Sequence, residues 1–136
     1  MRVLALALLL PGAALADGAV AVPLPDLAGL SEAQSQELLR AVVSANVVGM
    51  NCPEFQITDG EWSLLTGSAD ALAYANLNLS TDAYDADYYG PAFASLDDAA
   101  TCGAEGPRIR GLIHLLQDMG GSVEAIPDTQ LDGPKG

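Results

Sequence analysis

His114 is the only histidine in this 136-residue chain, so any imidazole chemistry has a single carrier. Helical spacing puts it on a polar face with Arg110 and Asp118 one turn away on either side. That is the setting of a solvated surface residue with weak i,i+4 contacts rather than of a catalytic base. No serine stands in a Gly-x-Ser-x-Gly elbow, and the His-Glu-x-x-His and phosphate-loop patterns are absent. No catalytic residue is assigned, and the expected class is non-enzymatic. Cys52 and Cys102 are the only cysteines. They lack the Cys-x-x-Cys spacing of a redox-active pair, and with one remote histidine they supply too few ligands for zinc. They read as one structural disulfide. It closes a loop of about 50 residues, for which chain entropy alone gives about 4 kcal/mol. That is comparable to the whole margin of a small domain.

The densest acidic cluster is Asp82, Asp85 and Asp87. A calcium loop begun at Asp85 would put Tyr89 at the fifth position and Leu96 at the twelfth, where a bidentate glutamate belongs. The match fails, and carboxylates in a first helical turn are accounted for by the helix dipole. No metal ion or cofactor is therefore assigned. Tyr84, Tyr88, Tyr89 and Phe93 interleave with these aspartates as a candidate partner surface. Two of the rings are expected to turn inward beside Trp62 and Phe55, leaving their hydroxyls at the solvent. The alternative reading of segment 82–93 is a site for a small molecule or a divalent cation. Asn46 and Asn76 fall on apolar stripes, where they are expected to satisfy each other or nearby backbone.

The elements that position these residues follow an apolar leader. Arg2, the run Val3 to Leu10, the break at Pro11-Gly12 and Ala14-Leu15-Ala16 form a secretory signal peptide over 1–16, with cleavage before Asp17. Its brevity and Ala/Leu content point to a bacterial periplasm, an oxidising setting that suits the disulfide. Eighteen acidic against five basic residues give a net charge of −13. Loss of the leader removes Arg2 and leaves Arg40, Arg108, Arg110 and Lys135. Such a surface repels nucleic acid and anionic lipid, and no later apolar run reaches the roughly 18 residues of a membrane span. Other periplasmic proteins are the expected partners, and oligomeric state is left open. Asn78-Leu79-Ser80 matches a glycosylation sequon, which matters only in a eukaryotic host.

The mature chain suits one small domain of about 120 residues. Residues 17–30, with Pro23 and Pro25, read as an extended lead-in. Residues 31–121 read as a disulfide-linked all-α domain of four or five helices. The first, roughly 31–49, is capped by Ser31 with Gln34 completing a capping box; Leu39, Val42, Val43, Asn46, Val47 and Met50 share its inner face. Asp59 is expected to cap the second, whose stripe is Trp62, Leu65, Ala69, Leu72 and Asn76. Gly67 inside it signals close packing or a break. A third short helix from Ser80 or Thr81 ends at Gly90-Pro91, and Pro91 opens another turn. The last runs from Pro107 to Gly120-Gly121, burying Ile109, Leu112, Ile113, Leu116 and Met119. Residues 122–136 read as a flexible tail. Only Val20–Leu24 and Val123–Ile126 leave room for a short strand.

Cys52-Pro53-Glu54-Phe55, followed by Asp59, Trp62, Gly67, Ala69 and Leu72, resembles the start of the HdeA-type periplasmic acid-stress chaperones. The resemblance spans roughly 45–120, with a one-residue gap before Gly67. It implies an all-helical fold closed by one disulfide to a second cysteine about as far along as Cys102, and release of apolar surface in acid. The chain departs from that family in having only Lys135 near its end, where the chaperones are lysine-rich. The layout also resembles small secreted helical proteins of alphaproteobacteria, a kinship that implies no activity.

Overall fold

Ser31 opens the first helix as its sequence requires. Its hydroxyl accepts the Gln34 amide at 3.1 Å while the Gln34 side chain accepts the Ser31 amide at 2.9 Å, so two otherwise orphaned donors are satisfied. In the computed structural model, which describes residues 20–127, this helix, α1, spans Glu32–Asn51. Leu39, Val42, Val43, Val47 and Val48 are buried along it, and it packs against every longer element of the chain. Met50, placed on that inner stripe by spacing, is instead 61% exposed. It sits in the final turn and stands on the rim of an open groove.

After a 3-10 turn (Pro53–Phe55), α2 spans Asp59–Asp70. Its cap is Thr58 rather than Asp59. The Thr58 hydroxyl accepts the Glu61 amide at 3.2 Å, and the Glu61 carboxylate accepts the Thr58 amide at 2.9 Å. Gly67 marks close packing, not a break: the Leu24 side chain lies where a Cβ would have to go. The helix continues into a π-helical turn, Ala71–Asn76. Asn78 then takes a left-handed conformation (φ 51°), which asparagine tolerates better than most residues.

Ser80 caps α3 (Thr81–Tyr84), which passes through a second π-helical turn (Asp85–Tyr89) into α4 (Gly90–Ser95). The expected stop at Gly90-Pro91 does not occur. A proline ring crowds the carbonyl four residues back and offers no N–H. Here the coil widens just before it, so that the Gly90 amide reaches back five residues to the Asp85 carbonyl. Asp98 turns the chain into α5 (Thr101–Glu105), and α6 follows over Arg108–Asp118. Ile109, Ile113 and Leu116 of α6 are buried, and Leu112 and Met119 flank them half-buried. The helix exits through Gly120 at φ 105°.

The result is a small all-α domain, with no strand among the described residues. Cys52, at the end of α1, is bonded to Cys102 in α5, with Cα atoms 5.7 Å apart. The lead-in is part of the body: Val22 and Leu27 are buried in the core. Residues 122–127, expected to belong to a loose tail, instead lie along it. The Ser122 and Ile126 amides donate to the carbonyls of Pro23 (3.0 Å) and Ala21 (2.7 Å), and the Asp26 amide to Met119 (2.9 Å). These are the two segments singled out as candidate strands. They pair without forming a regular ladder, since Pro23 and Pro25 lack donors. The expected leader, 1–16, and residues 128–136 lie outside the described residues.

Candidate functional site

The aromatic segment of α3 and α4 is divided between core and surface. Tyr84 and Tyr88 are buried, Tyr89 is half-buried and Phe93 is 53% exposed. The four therefore do not form one partner surface: two of the rings turn inward, as expected, and only Tyr89 and Phe93 are left for a surface. Across a π-helical turn residues five apart lean to the same side, and on the α-helix that follows residues four apart do, so Tyr84, Tyr89 and Phe93 line up from inside to outside. The Tyr84 and Tyr89 ring centroids are 5.1 Å apart, and Tyr89 and Phe93 stack at 6.4 Å with planes 29° apart. Tyr74 adds an edge-on contact to Tyr84 at 5.5 Å. Phe55 and Trp62, expected in the core, are only half-buried.

The outer end of this ladder joins Met50, Trp62 and Val47 around an open groove of about 390 Å³. Met50 and Phe93 are the two most exposed large apolar side chains among the described residues, and both stand on its rim. α1 supplies Met50, α2 supplies Trp62, and the π-helical turn with α4 supplies Tyr89 and Phe93. Polar atoms fix the floor. Asn46, expected to pair with Asn76 or with nearby backbone, donates to the Thr66 hydroxyl at 3.0 Å and to the Tyr89 hydroxyl at 3.4 Å. Asn76 turns to the lead-in, donating to the Leu27 carbonyl at 2.9 Å and the Ser35 hydroxyl at 3.1 Å.

Electrostatics around the ladder are negative. The Tyr84 hydroxyl donates to Asp70 at 3.1 Å. Burial, reinforced by Tyr89 and by the Asp70 charge, pushes the Tyr84 phenol far above its ordinary range. Tyr89 is also raised, first by burial and then by the charges of Asp70 and Asp85. Both phenols are therefore fixed donors at any physiological pH.

No family model, curated protein or solved structure matches this chain.

His114 lies exposed on α6, as its spacing implies. Arg110 does not turn to His114 or Asp118. It grips Glu61 with both terminal nitrogens, one of them 2.7 Å from the carboxylate. Glu61 is buried, and its carboxyl is held below the usual range by the Arg110 hydrogen bonds, against the opposing effect of burial, and by the Thr58 amide. One carboxylate thus caps α2 and ties it to α6. Asp82, Asp85 and Asp87 all face solvent, and among the described residues no three potential metal ligands converge. The pairing of Glu61 with Arg110, 49 positions apart, was not legible from either residue. Met50 and Trp62 were read as core, because periodicity reports a helix face and not where its neighbours end.

Proposed function

We propose that this is a non-enzymatic periplasmic interaction protein that holds an apolar, basic-flanked segment of another protein in the groove of Met50, Trp62, Tyr89 and Phe93. The observation that carries the reading is the pair of exposed side chains, Met50 and Phe93, on one rim over a half-buried tryptophan. Exposed apolar groups that cluster are uncommon on a monomeric surface and favour a protein partner. Charge selects the occupant. Asp70 and Asp85 act on the groove's Tyr89, and the chain carries −13 overall, so lysines or arginines flanking an apolar stretch complement the rim.

Trp62 is the only tryptophan, so its emission reports on the groove directly. Titration with an apolar peptide flanked by lysines is expected to shift the Trp62 emission to the blue. Met50→Asp and Phe93→Asp, both at exposed positions, are expected to weaken binding at least tenfold, and the same peptide with glutamate flanks to bind poorly. An unmoved spectrum, or a variant that binds as well as the parent, overturns the reading. Repeating the titration at pH 3 with an uncharged apolar peptide tests the acid-stress chaperone version, favoured by the pairing of buried Glu61 with Arg110. Binding gained only in acid supports that version over a groove open at neutral pH.

A further inference from the structure

A second concave surface lies on the other side of α3 and α4, a groove of about 600 Å³ between α1, the second π-helical turn and α5. Its size falls within the range of small-molecule sites, roughly 300–1,000 Å³. Arg40 reaches into it from α1, with its guanidinium 5.6 Å from the centre of the Tyr88 ring. Tyr88 is buried, so the platform beneath the cation is rigid, and cation–π attraction holds the guanidinium over the ring while leaving its N–H donors available.

The environment of Arg40 is unusual for this chain. Arg110 is paired with Glu61, and Arg108 lies 3.9 Å from Glu105. Arg40, the remaining arginine among the described residues, has no carboxylate of those residues within ion-pair distance. Yet Asp87 and Asp98 line the same groove, beside Glu105, which is shared with Arg108. Arg40 and the two aspartates thus share one cavity without pairing with each other. The π-helical turn contributes to this separation, since it carries both Asp87 and Tyr88. Such turns occur frequently at functional sites.

From this arrangement we infer that the groove binds small zwitterions of dipeptide size. The ligand's carboxylate is held by the Arg40 guanidinium in a charge-assisted contact, with the Ser44 hydroxyl on the same wall. Its ammonium group is held by the Asp98 carboxylate, with Asp87 on the turn adding negative potential. A plain anion is repelled by those carboxylates, and a plain cation gains nothing from Arg40. A ligand carrying both charges satisfies both walls.

The test is calorimetric titration of the intact protein with alanyl-alanine and its two capped forms, N-acetylated and C-amidated. Binding of the free dipeptide, weakened at least tenfold by either cap, is the expected result. Arg40→Gln should weaken the free dipeptide to the level of the amidated one and leave the amidated one unchanged. Asp98→Asn should act likewise towards the acetylated form. Absence of heat with the free dipeptide at millimolar concentration overturns the inference, as does equal binding of all three ligands. Should Arg40→Gln unfold the domain, the comparison of capped ligands on the parent protein still decides. Because Trp62 lies in the other groove, its emission should stay unmoved by the dipeptide, which separates this site from the proposed protein groove.

Discussion

Glu61 concentrates several functions on one carboxylate. It accepts the Thr58 amide that starts α2 and both donors of Arg110 on α6. Arg110 is about half exposed, so removing the charge leaves a solvated arginine rather than a stranded one. Glu61→Gln keeps the shape and the cap but not the ion pair. The substitution is expected to destabilise the fold by about 1–2 kcal/mol at neutral pH. A carboxyl held below its unfolded value stabilises the native state above the unfolded pKa, near 4.3, and loses that contribution as pH falls through the lower folded value. The gap between parent and Glu61→Gln should therefore be full at pH 7 and close progressively below about pH 4. Urea midpoints across that range check it, and a gap constant down to pH 2 refutes it. At this scale the sequence was partly readable. Ser31 with Gln34 announced a capping box, while Asp59 drew attention from its neighbour Thr58, whose partner three residues on is Glu61. The difference is one residue of register, and only backbone geometry decides it.

Among the elements, the pairing of the lead-in with residues 122–127 depends on a close approach at Gly60. A Cβ there would collide with the Val123 carbonyl, so the first turn of α2 serves as the floor on which the returning chain lies. Gly60→Ala should cost about 1–3 kcal/mol through overpacking. Hydrogen exchange should show the loss locally: the Ser122 and Ile126 amides lose protection while amides in the middle of α1 keep theirs. Equal protection in both proteins would mean that the returning segment is held by other contacts. The helices themselves were legible because their apolar spacing is strong, and the buried stripe of Ile109, Ile113 and Leu116 emerged as read. The π-helical turn before Pro91 was not. A proline says that the ordinary ladder must break, but not whether the chain stops or widens; Tyr84 and Tyr88, buried on the inner side, favour widening because it keeps the rod packed on α1. The same turn divides the aromatic segment, sending Tyr88 to the Arg40 groove and Tyr89 to the Met50 groove.

For the whole molecule, the single covalent cross-link joins the end of α1 to α5 across 50 positions. The combined variant Cys52→Ala, Cys102→Ser is expected to lose about 2–5 kcal/mol, seen as a lower urea midpoint at pH 7. A midpoint within about 0.5 kcal/mol of the parent would show that packing around Cys52 and not the bond carries the stability. The staple, the helical class and the acid excess could all be read from the chain before its shape was known. The two grooves could not, since each is made by side chains from several elements whose relative placement no local pattern encodes. Ala21 and Ile126 meet through a backbone hydrogen bond, so the stretch of residues 20–127 closes back on its own start. A stretch whose two limits touch is topologically close to a ring. A short linker bridging that meeting point, with the chain opened instead at the exposed turn between Asp97 and Ala100, should leave the Met50 groove on its original scaffold.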